Sequence, residues 1–372
     1  MNNLINYKSN NIKNYFLKIN WLVYFFLTLL ALTGGLILYS VSQGSFYPLV
    51  SSHLFKYFIS SVALFITCFI SINFIYKTSY IVYFFSILLL ISVLILGNDV
   101  FGSNRWLSIA GFTFQPSELS KLAVILALSR YYHDYYFISN NNVLKVIFPI
   151  IILFIPFAFV INQPDLGTGL LILVSSLTVI FLSGIGIWYI FFSIIFTTSL
   201  APLLWNLLYD YQKKRILTFL NPEQDPLGSG YHIAQSKIAI GSGGFFGKGY
   251  IKGSQSHLEF IPEMHTDFVF SIFSEEFGFL GSLILVLIYS YVLCYGIISS
   301  YKAKNTFTKL TIAGLTTNIF LYFIVNISMV IGLIPVVGVP LPLVSYGGSA
   351  MLVTMISFGI IMSLSNFKGQ LN

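Results

Sequence analysis

The sequence predicts an all-α polytopic membrane protein with about ten transmembrane helices and a large extracytoplasmic loop before helix 8. Of 372 residues, 56% are hydrophobic and only 8% are charged, where a soluble domain carries about 25% charged residues. The apolar stretches are continuous and approach the roughly 20 residues a helix needs to cross a bilayer. A membrane β-barrel would instead alternate over ~10-residue segments.

The predicted spans lie at about 20–42, 54–76, 79–97, 117–135, 145–163, 165–183, 186–208, 267–299, 307–335 and 347–366. The first follows a Lys/Asn-rich start. Its apolar run, Trp21 to Tyr39, is longer than a signal-peptide core and lacks an A-x-A cleavage site, so it reads as a helix rather than a leader. Cys68 and Cys294 both fall inside spans, which argues against a disulfide and leaves no metal-ligand spacing. The net charge of +7 is scattered over helix ends, a pattern that fits membrane orientation and not nucleic acid.

Orientation follows from the basic residues. With the N-terminus inside, short inner segments carry Lys8, Lys13, Lys18, Lys77, Arg130, Lys145, Lys302, Lys304, Lys309 and Lys368, whereas short outer loops carry Lys56 and Arg105. The positive-inside rule then places both termini in the cytoplasm. Residues 1–372 read as a single integral membrane domain, with a cytoplasmic segment at 1–19 and the large extracytoplasmic loop at 210–266. Of the twelve acids, only Asp134 falls on the inner side. Acids have little say in topology, so the other eleven point to a site on the outer face.

Four even-numbered spans open on that face with polar chemistry. The fourth begins "FQPSELSK", with Pro116 suited to a helix start and Glu118 and Lys121 three apart on one face. That pair reads either as a structural staple or as a substrate-facing pair. The sixth begins "NQPDLGTG", where Asp165 in the first turn is favoured by the helix dipole and reads as a cap or as part of the site. The eighth follows "IPEMHTDF", in which Thr266 or Asp267 is positioned to cap the helix. One cap does not require Glu263, His265 and Glu275 as well. Glu276 points almost opposite Asp267 on a helix and is left outside the site.

The tenth span follows "GLIPVVGVPLPLVSYGGSA". Its prolines forbid continuous helix, and Gly347 and Gly348 allow backbone amides to approach a ligand closely. Irregular backbone at membrane depth must be buried in protein or line a cavity, so the stretch, with Ser345, reads as a cavity wall. Four positive helix ends on one surface favour phosphate or pyrophosphate, and Arg105, Lys121 and Lys213-Lys214-Arg215 lie on the same side. The Gly-rich "GSGGFFGKG" at 241–249 lacks the spacing of a P-loop or a dinucleotide fingerprint and reads as a flexible loop.

The strings "RWLSIAGFTFQPSELSK", "QPDLGTG", "GSQSHLEFIPEMHTDFVFSIFSEEFG" and "PVVGVPLPLVSYGGSA" together resemble the SEDS family (shape, elongation, division, sporulation) of bacterial cell-wall proteins. The resemblance covers nearly the whole chain and is closer to the RodA (elongation) branch than to the FtsW (division) branch. It implies a ten-helix peptidoglycan glycosyltransferase that polymerises lipid II, the undecaprenyl-pyrophosphate-linked disaccharide peptide, at the outer face of the bacterial cytoplasmic (inner) membrane. It also implies a class B penicillin-binding protein as transpeptidase partner, among other elongation-complex membrane proteins. The family's catalytic Asp falls on Asp267, its cavity pair on Glu118 and Lys121, and a further important acid on Asp165.

On this resemblance Asp267 is the expected general base for inverting transfer, with Glu263 and desolvation raising its pKa. Arg105, Lys121 and the amides around Gly347 and Gly348 are expected at the pyrophosphate. Arg105, Glu118, Lys121, Asp165, Glu263, His265, Ser345, Gly347 and Gly348 make up the expected substrate cavity. An open alternative has Asp267 holding a divalent cation that assists the leaving group; no other cofactor is indicated. A lipid II flippase and a non-catalytic scaffold for the penicillin-binding protein are the competing functions.

Overall fold

The computed structural model describes residues 19–100, 103–109, 112–138, 144–184, 205–206, 209–221, 225, 228–257 and 263–367. Nearly all of the segment 1–19 and of the seventh expected span, 186–208, lies outside the described residues. The other nine spans are present as helices. Three precede a small sheet: α1 (Trp21–Val41), α2 (Leu49–Phe69) and α3 (Ile72–Leu96). Three follow it: α4 (Pro116–Ile138), α5 (Leu144–Asn162) and α6 (Leu166–Leu182). The long loop holds α7 (Asp210–Leu220), α8 (Ser229–Ser242) and the short α9 (Ser254–His257), and α10 (Val269–Lys302), α11 (Thr306–Val330) and α12 (Gly348–Ser365) complete the bundle.

Local chemistry fixes several helix ends. Asn20 caps α1 through the Val23 amide at 3.2 Å, and Asn305 caps α11 through the Phe307 amide at 2.8 Å, the N-cap device that satisfies an orphan N–H. The second and third spans are shifted from their expected bounds. Ile70 and Ser71 adopt extended backbone and break the chain there, whereas Lys77, where polarity suggests the turn, sits exposed inside α3. The ninth span ends at Val330 rather than near 335, because Gly332 turns left-handed at φ +74, as helix C-termini commonly do.

Sequence reading gave no hint of strands between α3 and α4. The chain there forms β1 (Asn98–Val100), β2 (Ser103–Ile109) and β3 (Phe112–Phe114), antiparallel in the order β1-β2-β3.

Helices α4, α11 and α12 form the buried centre, and α12 packs on α2 and α4 on α3. Gly359 of α12 makes one close approach possible: a Cβ there would lie 1.9 Å from Thr67 Oγ1 of α2. Small residues serve this purpose where membrane helices meet. α1, α2, α3 and α10 keep broad apolar faces exposed, the surfaces a bilayer covers.

The Gly-rich segment 241–249 is bonded into α10. At Gly278, φ is +67 and ψ −163, and the helix is interrupted. The carbonyls of Glu275 and Glu276 accept from the amides of Lys248 (3.0 Å) and Gly249 (3.1 Å). In return the amides of Phe279 and Leu280 donate to the carbonyls of Gly244 (2.9 Å) and Phe245 (3.1 Å). A Cβ at Gly247 would lie 2.1 Å from the Glu276 carbonyl oxygen, so only glycine fits this splice. The backbone groups freed by the helix break are thereby satisfied, as buried backbone requires.

Candidate active site

Asp267 lies in a turn spanning 263–268, just ahead of α10. The helix is capped by Phe268 with no side-chain hydrogen bond, so neither Thr266 nor Asp267 serves as the cap. Glu263 takes the left-handed conformation, φ 57, and its carbonyl accepts from the amides of Thr266 (3.1 Å) and Phe268 (3.4 Å). Its carboxylate accepts from Thr266 Oγ1 at 2.9 Å.

Three clamps hold the turn from outside. Ser345 Oγ donates to the Thr266 carbonyl at 2.5 Å and accepts from the Leu341 amide at 2.8 Å. The Tyr346 amide donates to the His265 carbonyl at 2.9 Å. Asn326 of α11 donates to the carbonyls of Asp267 (2.8 Å) and Val339 (2.7 Å). Thus the proline-rich segment ahead of α12 walls the Asp267 turn, and Ser345 and His265 contribute through these links.

The Asp267 carboxylate itself makes no hydrogen bond or ion pair among the described residues and keeps a partial opening. Gly338, at φ +79, passes close by: a Cβ there would lie 3.4 Å from Asp267 Oδ2. Burial pushes the Asp267 carboxyl up to about 7. The charge of Glu263 and then that of Asp165 act in the same direction, against Arg215 and Arg105. Desolvation and like charge both disfavour a carboxylate. The site is therefore a carboxyl poised near neutrality, with two acids and two guanidinium groups within electrostatic reach.

Arg105, on β2, donates from Nε to the Gln163 carbonyl at 3.0 Å and from Nη2 to the Pro164 carbonyl, and its Nη1 lies 3.9 Å from Asp165 Oδ1. Asp165 caps α6 through the Thr168 amide (3.1 Å) and accepts from Thr168 Oγ1 (2.9 Å) and Gln115 Nε2 (2.9 Å). The Gln115 amide donates in turn to Ser349 Oγ of α12 at 3.1 Å. The starts of α4, α6 and α12 are joined by this chain of contacts.

Glu118 and Lys121 pair at 2.8 Å, and the Tyr322 hydroxyl lies 2.5 and 2.6 Å from the two Glu118 oxygens. The Lys121 ammonium sits 4.1 Å from the Tyr322 ring centroid. With Lys121 at 0% and Glu118 at 4% exposure, the pair is enclosed, which favours the staple over a direct contact with substrate. Gly347 caps α12 with no side-chain hydrogen bond. Beside it Lys56 of α2 packs on Gly348 and places its ammonium 3.7 Å from the Tyr346 ring centroid.

The neighbouring acids do different work. Glu275 is buried and accepts from Lys248 Nζ (2.6 Å) and the Ser254 amide (2.9 Å). Glu276 packs away from Asp267 and accepts from Ser40 Oγ of α1. Asn326, Tyr322, Gln115 and Lys56 form the support that sequence reasoning did not assign to the site, whereas Arg215, expected on this side with Lys213 and Lys214, reaches the Val337 carbonyl from Nη1 at 3.3 Å. A polar Asn or a Tyr inside an apolar span was the available signal.

A sequence profile of the FtsW, RodA and SpoVE proteins, described as cell cycle proteins, matches residues 16–370. Peptidoglycan glycosyltransferase MrdB of Escherichia coli K12 is 44% identical over 291 residues, 78% of this chain and 78% of that protein. Among solved structures, a chain from a peptidoglycan synthase complex that coordinates polymerization and crosslinking superposes with a TM-score of 0.81. It is 26% identical, and the match covers 93% of this chain and 97% of that one. The rod shape determining protein RodA of Thermus thermophilus matches with a TM-score of 0.71 at 25% identity, over 94% of this chain and 98% of that one. With the ordered motifs, the helical bundle and these matches in agreement, the chain belongs to the FtsW/RodA/SpoVE family, on its RodA side.

Proposed function

We propose that Asp267 is the general base with which this peptidoglycan glycosyltransferase joins lipid II units into glycan strands during cell elongation. The observation that carries the reading is the Asp267 carboxyl: raised to about 7 and free of hydrogen bonds from the described residues. A general base works best with a pKa near the working pH. In the reaction the Asp267 carboxylate takes the proton of the acceptor GlcNAc 4-hydroxyl. That oxygen forms a bond to the anomeric carbon of the donor MurNAc, and the bond from this carbon to the pyrophosphate oxygen breaks with inversion. Undecaprenyl pyrophosphate leaves with the bonding electrons.

The guanidinium groups of Arg105 and Arg215 act on the same site and suit the charge that develops on the departing pyrophosphate. The α12 start at Gly347 and Gly348 lies against the same wall. Lys121 contributes from inside the bundle, by holding α4 through Glu118 and Tyr322. A divalent cation at Asp267 would have to take its remaining ligands from the substrate pyrophosphate and water. Among the described residues no three His, Cys, Asp or Glu side chains converge to hold a metal by themselves.

The site faces outward in the proposed topology, with both termini in the cytoplasm and the chain in the bacterial inner membrane. Similarity to a chain of a synthase complex that couples polymerization to crosslinking supports a crosslinking partner, which we take to be a class B penicillin-binding protein. Purified protein, reconstituted with that partner and supplied with lipid II, is expected to make glycan polymer. Folded, partner-bound protein that makes none, while moving lipid II across the bilayer, would return the flippase reading.

A further inference from the structure

Two phenylalanines leave the splice between the Gly-rich segment and α10 and point into open space. Phe245 is 55% and Phe246 78% exposed, with ring centroids 4.9 Å apart. Phe245 also lies 5.8 Å from the ring of Phe279, which is itself 58% exposed. Apolar area of this kind is favoured out of water. Below the cluster the exposed apolar surface of α10 continues through Leu280, Leu283 and Leu287, the lipid-facing side of a membrane helix.

The length of α10 beyond its break at Gly278 sets the depth of the cluster. The continuous stretch from Phe279 to Lys302, at about 1.5 Å per residue, exceeds the ~30 Å hydrocarbon core, which takes about 20 residues. Counted from Lys302 at the basic end, the core runs out near Leu283. Gly278 and Phe279 therefore stand within about one or two turns of its edge, where aromatic side chains concentrate in membrane proteins. The polar parts of the loop already have partners on α10: its amides bond the carbonyls of Glu275 and Glu276, and Lys248 pairs with the Glu275 carboxylate at 2.6 Å.

We propose that Phe245 and Phe246 are an interfacial membrane anchor: the Gly-rich loop turns back into the leaflet at the Asp267 end of α10 and seats both rings among the upper acyl chains. The occupant is lipid, because the cluster is continuous with the lipid-facing stripe of α10. The anchor is bonded directly to the first turns of α10, so it sets the height of the Asp267 turn above the bilayer. It goes beyond the assigned chemistry and holds whether or not Asp267 is the base.

The test is depth measurement by spin-label EPR on the full chain in phosphatidylcholine vesicles, with Cys294→Ala and single labels at Phe246→Cys and, separately, Phe245→Cys. These sites are exposed, so labelling leaves the packing intact. Labels at both positions are expected to collide with oxygen and exclude a nickel chelate, as a label at the lipid-facing Leu283→Cys does. A label at the exposed Lys252→Cys should show the reverse. Nickel access equal to that at Lys252→Cys would overturn the anchor. Adding the penicillin-binding protein is expected to leave the profile unchanged; loss of oxygen access only on its addition would make the cluster a protein interface and also overturn the proposal.

Discussion

Asn326, deep in α11, holds the backbone of Asp267: its amide nitrogen donates to the Asp267 carbonyl at 2.8 Å and to the Val339 carbonyl at 2.7 Å. Both amide hydrogens are used, so one side chain ties the Asp267 turn to the segment that walls the site. Asn326→Ala leaves those carbonyls without this donor, at about 1–3 kcal/mol for each that stays unsatisfied. Thermal unfolding in detergent should show the loss. Turnover should fall about tenfold or more, with KM changing less, since a misplaced base costs rate rather than binding. Unchanged turnover would mean that the turn is held without Asn326.

The pH dependence has a definite sign. Burial holds Asp267 near 7, helped by Glu263 and opposed by Arg215, and a base works ionised. Polymerisation should therefore rise with pH through about 7 and then level off. Glu263→Gln removes a like charge and should move the limb to lower pH; Arg215→Gln removes a cation and should move it higher. A pH–rate profile with no limb near neutrality would contradict the assignment.

Stability should vary over the same window in the opposite sense. The unfolded carboxyl titrates near 3.9 and the folded one near 7, so between about pH 4 and 7 the folded state holds more protons. Stability from this group is present below about pH 4 and is lost as pH rises to about 7. Unfolding midpoints of Asp267→Asn should lack that slope. An identical slope in the variant would place its origin elsewhere.

Breaking the enclosed pair should be severe. Lys121→Met leaves the buried Glu118 without its cation, and loss of one partner of a buried pair costs about 3–5 kcal/mol. Combining it with Glu118→Gln should recover part of that loss, because no isolated charge remains. A double variant no better than the single one would show that the pair is more than a staple.

The splice into α10 is open to a glycine comparison. Gly247, at φ +82, would press a Cβ within 2.1 Å of the Glu276 carbonyl oxygen, whereas a Cβ at Gly241 meets nothing within 4 Å. Gly247→Ala should lower the unfolding midpoint clearly, the left-handed backbone alone costing about 1–3 kcal/mol. Gly241→Ala, inside α8, should be neutral or stabilising by up to about 1 kcal/mol. Equal effects would deny the close contact.

Hydropathy made the bundle legible, because apolar runs of that length and number suit little besides a bilayer, and it placed α4, α6 and α12 within a few residues of their observed bounds. It misplaced the α2–α3 turn, where polar Lys77 outweighed the quiet Ile70-Ser71 break. The short strands carried no periodicity strong enough to read. The Gly-rich segment read as flexible because its backbone partners lie about 30 residues away in α10. Within the site, Asp267 stood out by the density of polar neighbours. Glu275 shares that density and yet binds Lys248 and the Ser254 amide instead. Only tertiary contact separates an open carboxylate from a saturated one, and the same contacts bring Asn326 to the site.

The most direct test is polymerisation of lipid II by the purified protein with the proposed penicillin-binding partner, comparing wild type with Asp267→Asn. The amide keeps the side chain's shape and leaves the Asn326 bond to the backbone in place. The variant should stay folded and partner-bound and lose at least about 100-fold in rate, the low end of what a general base supplies. Normal polymerisation by Asp267→Asn would show that the carboxylate takes no proton, and the catalytic assignment would fall.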